Sequence, residues 1–256
     1  MISKGYLKDL TIDLSKDSEQ PLSEYPFNLS SIKNLKKLQF HRNVTYLVGE
    51  NGMGKSTLLE AIAISSGFNP EGGTRNFNFS TRDSHSELYR SFRISRGYPA
   101  LRDGFFLRAE SFFNLATEIE QRDADPDAIG GKIMDYYGNK SLHEQSHGES
   151  FWSLFTNRFF GNGLYILDEP EAALSPTRQM AALVRIHELV QQNSQFVIAT
   201  HSPILLAYPD AFIYELTPSG ISSVTYKETE LYKITKQFLS DPDKMVDMLL
   251  NDAGDE

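Results

Sequence analysis

The sequence contains no cysteine and no long hydrophobic run. Without cysteine it can form neither a disulfide framework nor a thiolate metal site, which fits a reducing compartment. No apolar stretch approaches the roughly 18 residues that a membrane-spanning helix needs. The first residues, Met1 to Tyr6, also lack the apolar core of a signal peptide. We therefore expect a cytoplasmic protein without a membrane span.

Basic residues are in the minority as well. The chain has 25 Lys and Arg against 34 Asp and Glu, a formal net charge of -9. A strongly acidic chain is a poor general ligand for nucleic acid, although a local basic patch can exist within that sum. Composition therefore leaves direct nucleic-acid binding undecided. With 40% hydrophobic residues in 256, the chain can bury one sizeable core, and its length predicts one domain with a smaller lobe.

Apolar runs and helical patterns alternate along the chain. Strands are predicted at residues 5–14, 35–40, 44–48, 88–94, 104–107, 164–167, 195–199 and 211–215. Helices are predicted at residues 56–65, 111–119, 129–137, 149–160 and 176–192, and as an amphipathic tail beyond residue 241. Strands that alternate with helices favour an α/β fold with a largely parallel sheet.

A glycine-rich segment links the third predicted strand to the first predicted helix. Residues 49–57 read Gly-Glu-Asn-Gly-Met-Gly-Lys-Ser-Thr and fit the phosphate-binding pattern G-x-x-x-x-G-K-S/T. The glycines let several backbone N–H groups face one anion, and the helix that follows adds the partial positive charge of its N-terminus. The residues of this phosphate loop (residues 49–57) that we expect to contact a nucleotide are Glu50, Asn51, Gly52, Met53, Gly54, Lys55, Ser56 and Thr57.

Two residues of the phosphate loop have more specific expected tasks. Lys55 reaches the β- and γ-phosphates, and the Ser56 hydroxyl coordinates Mg²⁺.

A second set of ligands follows the strand at residues 164–167, where Asp168 and Glu169 come directly after four apolar residues. Ligands of a parallel sheet lie at the carboxyl ends of its strands. Asp168 is therefore predicted to hold Mg²⁺ through its water shell, and Glu169 to orient or deprotonate the attacking water.

The order of motifs resembles the ABC-ATPase superfamily, and more narrowly its soluble members near the RecF and SMC heads. Residues 171–176, Glu-Ala-Ala-Leu-Ser-Pro, resemble the D-loop of that family. Residues 200–203, Thr-His-Ser-Pro, resemble its switch histidine segment. Residues 146–149, Ser-His-Gly-Glu, resemble the signature Ser-Gly-Gly-Gln and precede the acidic strand. The resemblance covers about residues 40 to 215, and the shared order is more specific than any one motif.

This resemblance implies a fold and a division of the chain. The fold is an α/β P-loop NTPase of ABC type, with a mostly parallel sheet, an N-terminal antiparallel β subdomain and a small helical subdomain. The whole chain, residues 1–256, would be one head. Its core would comprise residues 1–110 and 161–226, with a helical lobe at about 111–160 and a helical tail at 227–256.

The same resemblance implies how ATP and Mg²⁺ would be held. Ser146 and the Gly148 amide would contact the γ-phosphate bound to a second copy, so that ATP binding drives a head-to-tail homodimer. A hydroxyl, a bare amide and a helix N-terminus all suit an anion. His201 would contact the γ-phosphate of its own subunit. The alternatives are an ordinary capped helix start at residues 146–149 and a capping or core histidine at 201.

The sequence departs from the family pattern at two points. His147 replaces the middle glycine of the signature, which makes the backbone there bulkier. The family's glutamine between phosphate loop and signature is missing; Glu110 is our best placement for its contact to Mg²⁺ and water. Arg108 is the neighbouring alternative as a phosphate or partner contact, and an ordinary salt bridge remains open for either residue. For the aromatic ring that stacks on adenine, Tyr25 and Phe27 are the candidates.

Three functions are compatible with such a head. A DNA-repair or chromosome-organising head normally has a long coiled coil before the signature, and residues 111–145 contain Pro126, Gly130 and Gly131 without sustained heptads. A transporter subunit normally has the missing glutamine. We therefore expect an ATPase that dimerises on ATP and works on a protein partner. A transporter subunit and a DNA-repair or phage-defence head are the alternatives.

Overall fold

The computed structural model describes residues 5–13, 23–75, 86–98, 100–109, 112–124, 132–137 and 147–252. These residues form nine strands: β1 (Leu7–Ile12), β2 (Lys37–Gln39), β3 (Val44–Gly49), β4 (Phe92–Arg96), β5 (Asp103–Arg108), β6 (Gly163–Asp168), β7 (Gln195–Ala199), β8 (Phe212–Thr217) and β9 (Gly220–Val224). They also form seven α-helices: α1 (Ser30–Lys33), α2 (Lys55–Ser65), α3 (Phe112–Ala124), α4 (His147–Ser153), α5 (Pro176–Gln191), α6 (Glu230–Ser240) and α7 (Pro242–Asp252).

The strands form two sheets. The first is antiparallel with the order β2-β1-β4, and the second has the order β5-β6-β7-β3-β8-β9. In the second sheet β5, β6, β7, β3 and β8 pair in parallel, and only β9 pairs antiparallel, at the edge beside β8. The predicted fold class is confirmed: an α/β architecture with a mostly parallel sheet and a small antiparallel sheet built from N-terminal strands and β4.

The large sheet is covered on both faces, which explains its continuous apolar strands. Tyr46 and Val48 of β3 belong to a core cluster that also contains residues of α3, α4 and α5. Leu47 of the same strand belongs to a second cluster with residues of α2 and the antiparallel sheet. Each fully buried aliphatic side chain of this kind contributes roughly 1.5–3 kcal/mol relative to exposure. Helix α2, which follows the phosphate loop, is thereby fixed against the sheet.

Several predicted boundaries differ from those of the structure. Residues Glu87–Ser91 form a 3₁₀ turn capped by the Ser86 hydroxyl, so the strand predicted at residues 88–94 begins only at Phe92. The helix predicted at 129–137 is a 3₁₀ turn over Ile133–Tyr137 within the described residues. The helix predicted at 149–160 is α4 followed by a π turn at Leu154–Arg158.

Strand β9 was not predicted, whereas α6 lies within the helical tail predicted at residues 227–256. Strand β9 follows β8 through a tight turn in which Thr217 pairs with Gly220, whose φ of 126° favours glycine. Helix α6 begins after Thr229, whose hydroxyl accepts a hydrogen bond from the Tyr232 amide.

Among the helices of the described ranges, none combines the length and the hydrophobicity that crossing a bilayer requires.

Candidate nucleotide site

The strand order brings four distant segments of the chain to one edge of the large sheet. Strands β3, β7, β6 and β5 are consecutive neighbours, and Arg108, Asp168 and Ala199 lie in register near their carboxyl ends. Neighbouring strands are about 4.8 Å apart. The phosphate loop after β3, Thr200 and His201 after β7, and Glu169 after β6 are therefore side by side, as a ligand site of a parallel sheet requires.

The phosphate loop depends on its glycines. Gly49, Gly52 and Gly54 have φ values of 138°, 80° and 88°, a region that residues with a Cβ rarely adopt. A Cβ on Gly49 would also lie 2.3 Å from the Leu216 carbonyl oxygen of β8. The Ser31 hydroxyl donates a 2.7 Å hydrogen bond to the Met53 carbonyl and so fixes the loop from α1. The glycines thus allow the conformation of the loop, and the hydrogen bond from Ser31 of α1 fixes its position.

Lys55 is the first residue of α2 and lies beneath the loop. It is only 4% exposed, and its ammonium group donates a 3.0 Å hydrogen bond to the Glu50 carbonyl. Burial lowers the Lys55 pKa, and the nearby carboxylates of Glu169, Asp168 and Glu171 oppose that shift. A buried cation at the N-terminus of a helix is a favourable place for a phosphate.

Two of the three residues predicted to contact Mg²⁺, Ser56 and Asp168, are in direct contact. The Ser56 hydroxyl donates a 3.0 Å hydrogen bond to Asp168 Oδ1, and Asp168 is only 6% exposed. Both are hard oxygen ligands, which Mg²⁺ prefers, and Mg²⁺ usually takes few protein ligands because phosphates and waters complete its shell. Accordingly, the described residues contain no group of three or more His, Cys, Asp or Glu placed to hold a metal. The residues present fit Mg²⁺ bound together with a nucleotide.

Glu169 and His201 face each other next to this pair. Glu169 has φ 49° and ψ 53°, a left-handed conformation that is uncommon for a residue with a side chain, and its amide donates a 2.9 Å hydrogen bond to the Ala199 carbonyl. Its Oε1 lies 3.6 Å from His201 Nε2. Among the described residues Nε2 is buried without a hydrogen-bond partner. Burial lowers the His201 pKa, Lys55 lowers it further and Glu169 raises it.

The signature segment is only partly described. Gly148 lies in the first turn of α4, and a Cβ there would come within 2.7 Å of the Ala173 carbonyl oxygen. The start of α4 therefore packs closely on the D-loop segment (residues 171–176). Ser146 and Glu110, the predicted phosphate and Mg²⁺ contacts, lie outside the described residues. Arg108 is described, and its guanidinium makes an ion pair with Glu60 of α2.

The two aromatic candidates have different surroundings. Phe27 is 3% exposed and belongs to the core, so its ring is not available to stack on a base. Tyr25 is 60% exposed, and its hydroxyl is 2.7 Å from Thr57 Oγ1, at the end of the phosphate loop. The structure therefore leaves Tyr25 as the aromatic ring beside the loop.

Sequence reasoning assigned no role to the carboxylate of Glu171, whose Oε1 accepts a hydrogen bond from the backbone of His201. Helix α6 lines a cavity of about 150 Å³ beside the phosphate loop, to which sequence reasoning also assigned no role. The cavity is lined by Gly49, Glu50, Thr200, His201, Glu215, Glu230, Leu231, Ile234 and Thr235. The apolar spacing of Leu231, Ile234 and Phe238 is typical of an amphipathic helix and fits the predicted helical tail.

Some solved structures are similar to this chain, and one of them reaches a TM-score of 0.50. One chain of an ABC transporter in an inward-facing conformation is 16% identical, with 90% of this chain and 88% of that chain covered and a TM-score of 0.50. The SMC head domain from Thermotoga maritima is 14% identical over 86% of this chain and 98% of its own, with a TM-score of 0.40. A nucleotide-free ATP-binding cassette from an ABC transporter is 19% identical over 80% and 88%, with a TM-score of 0.45. No curated protein sequence matches.

Family models match most of the chain. Residues 27–140 match a model described as "AAA domain". Residues 141–207 match a model described as "AAA domain, putative AbiEii toxin, Type IV TA system". Both models describe an AAA domain, and the two matches together span the phosphate loop, the acidic strand end and the switch histidine segment.

Proposed function

We propose that this protein binds ATP with Mg²⁺ and hydrolyses it to ADP and phosphate. The main supporting observation is the 3.0 Å contact between Ser56 of the phosphate loop and Asp168 at the end of β6. Residues separated by more than a hundred positions meet here as a pair of oxygen ligands, beside the buried Lys55. Phosphoryl transfer needs mainly positioning and charge neutralisation, and these residues are suited to both.

Each residue has a defined task in this proposal. Lys55 and the backbone N–H groups of the phosphate loop bind the β- and γ-phosphates, with Ser56 and Asp168 holding the metal. Mg²⁺ bound there would neutralise charge on the phosphate oxygens. Glu169 accepts the proton of the attacking water or orients it. His201 directs Nε2 towards the γ-phosphate; its depressed pKa keeps the imidazole neutral at pH 7, so Nε2 can donate or accept according to tautomer.

The site is completed by a second copy of the chain. Ser146 and Gly148 are the proposed contacts to the γ-phosphate held by the partner, so the assembly is a head-to-tail homodimer that forms on ATP binding. Hydrolysis cleaves off the γ-phosphate that both copies contact, and the dimer then dissociates. This cycle would drive conformational work on a protein partner in the cytoplasm.

The test measures binding and turnover separately. Wild-type protein should release phosphate from ATP only with Mg²⁺, and Lys55→Ala should lose ATP binding in calorimetry while keeping its thermal unfolding transition. Lys244→Ala, at an exposed position of α7, serves as the matched control and should retain ATP affinity. Wild-type affinity for ATP in folded Lys55→Ala, or no phosphate release by wild-type protein, would refute the proposal.

A further inference from the structure

A carboxylate outside the predicted catalytic set connects two of the site's segments. Glu171 lies in the 3₁₀ turn Pro170–Ala173, directly after the proposed base Glu169 and its following proline. Its Oε1 accepts a hydrogen bond from the backbone N–H of His201, thirty residues further along the chain. The D-loop segment is therefore tied to the backbone of the switch histidine itself.

A second bridge joins the same two segments. The Gln179 side-chain amide donates a 2.8 Å hydrogen bond to the Leu174 carbonyl, and its oxygen accepts a 2.7 Å hydrogen bond from the Ser202 hydroxyl. Ser202 Oγ in turn accepts the Leu205 amide at 3.0 Å. Gln179 thus fixes the loop beyond His201, whereas Glu171 fixes His201 itself.

The position of Glu171 is costly for folding. Burial raises the pKa of Glu171, and the hydrogen bond from the His201 backbone opposes that shift. The other carboxylate oxygen, Oε2, is buried without a hydrogen-bond partner among the described residues. A buried carboxylate is expensive unless its hydrogen bonds compensate, and an uncharged group would fill the same space at lower cost. Such groups are concentrated at functional sites.

The hydrogen bond from the His201 backbone to Glu171 affects the position of the His201 imidazole. His201 Nε2 is buried, makes no hydrogen bond among the described residues and lies 3.6 Å from the Glu169 carboxylate. With no side-chain hydrogen bond at that nitrogen, the imidazole takes its position from the backbone of His201. That backbone is fixed by β7, which ends at Ala199, and by Glu171. Hydrogen bonds to an ionised carboxylate are roughly twice as strong as neutral ones.

We propose that Glu171 is a positioning residue for His201: its carboxylate holds the His201 backbone so that the imidazole faces Glu169 and the phosphate site. This inference rests on the proposed ATP hydrolysis. Glu171 acts through His201 and does not itself touch the nucleotide. Its loss should therefore impair the rate of hydrolysis more than the binding of ATP, because a misplaced contact of about 1 Å costs on the order of 10²-fold in rate.

The first experiment is a double-mutant cycle on the purified full-length protein with ATP and Mg²⁺. Glu171→Ala should lower kcat by about 10²-fold and leave KM for ATP within about two-fold of wild type. Added to His201→Ala, the same substitution should lower kcat no further, since residues that act as a unit are not additive. Glu171→Gln keeps an acceptor oxygen and should recover part of kcat. Additive losses in the cycle would overturn the inference.

The second experiment does not depend on turnover. The chain has six histidines, and His201→Ala assigns the His201 imidazole signal in a histidine-selective NMR spectrum. Glu171→Ala should shift that signal, whereas Glu188→Ala, at an exposed residue paired with Arg185, should not. An unchanged His201 signal in folded Glu171→Ala refutes the positioning role, including in the case where His201→Ala has no measurable activity.

The two proposals fail in different ways. If the wild-type protein releases no phosphate from ATP, the proposed function fails, while the NMR result still decides whether Glu171 positions His201. If wild-type protein hydrolyses ATP and Glu171→Ala matches its kcat, only the inference about Glu171 is wrong.

Discussion

The Ser56 hydroxyl donates a hydrogen bond to Asp168 Oδ1 at 3.0 Å and so joins the phosphate loop to the end of β6. Asp168→Asn keeps an acceptor oxygen for Ser56 but removes the charge that attracts a divalent cation. We expect this variant to need about 10- to 100-fold more Mg²⁺ for half-maximal ATP hydrolysis, the loss typical of weakened metal-site support. Phosphate release measured across a Mg²⁺ titration is the readout.

Glu188→Gln is the control for that titration, because it removes one carboxylate from an exposed ion pair on α5. Its Mg²⁺ requirement should equal that of wild type. If Asp168→Asn also keeps the wild-type requirement, Asp168 does not support the metal.

The exposed ring of Tyr25 beside Thr57 predicts a base contact. Stacking of a base on an aromatic ring contributes about 1–3 kcal/mol, so Tyr25→Ala should weaken ATP binding by about 5- to 150-fold. Tyr25→Phe removes the 2.7 Å contact to Thr57 but keeps the ring, and its affinity should stay near wild type. Calorimetry with ATP measures both.

Inorganic tripolyphosphate distinguishes the contribution of the Tyr25 ring to binding from that of the phosphate loop, because it has phosphates but no base. Its affinity should be the same in wild type and Tyr25→Ala. An equal loss for ATP and tripolyphosphate would mean that Tyr25 supports the loop and does not stack on adenine.

The elements around the phosphate loop could be predicted because their signals are local. Strand β3 is a buried apolar run that ends at Gly49, and β6 ends at Asp168 in the same manner. The turn at Ile133–Tyr137 could not be predicted, because the Asp123 carboxylate fixes it by accepting the Ile133 and Met134 amides at 2.7 and 2.8 Å. A helical pattern over residues 129–137 does not reveal that contact.

The same distinction applies to the site. Motifs within a few residues of a strand end predict four site residues: Lys55, Ser56, Asp168 and Glu169. The structure brings these four residues together. Glu171 gains its contact only when the loop after β7 folds onto the D-loop segment. Its chemistry therefore depends on a neighbour that sequence spacing does not identify.

The buried carboxylate of Glu171 predicts a pH-dependent cost in stability. Burial raises its pKa in the folded state, so between the ordinary glutamate pKa and that raised value the folded state binds more protons than the unfolded state. The free energy of unfolding then falls as pH rises through this interval. Glu171→Gln removes this dependence, so its stability relative to wild type should increase with pH across that interval and then level off.

Denaturant unfolding of both proteins at a series of pH values measures that difference. For Glu188→Gln, at an exposed position, the free energy of unfolding should differ from that of wild type by the same amount at every pH. A constant difference between Glu171→Gln and wild type would show that folding does not perturb the titration of Glu171.

The shared site makes its strongest prediction for Glu169. Glu169→Gln keeps the shape and hydrogen-bonding capacity of the side chain but removes its charge and most of its basicity, and loss of a positioned base costs about 10²- to 10⁴-fold in rate. ATP binding should survive, so the variant should accumulate as an ATP-bound dimer in light scattering with ATP and Mg²⁺. Adding Ser146→Arg should return it to monomer, because a bulky cation would occupy the contact to the partner's γ-phosphate. Gly148 is unsuitable for this purpose, since a Cβ there would come within 2.7 Å of the Ala173 carbonyl oxygen and disturb the fold. A Glu169→Gln protein that stays monomeric with saturating ATP, or that hydrolyses ATP at the wild-type rate, would contradict the shared-site mechanism.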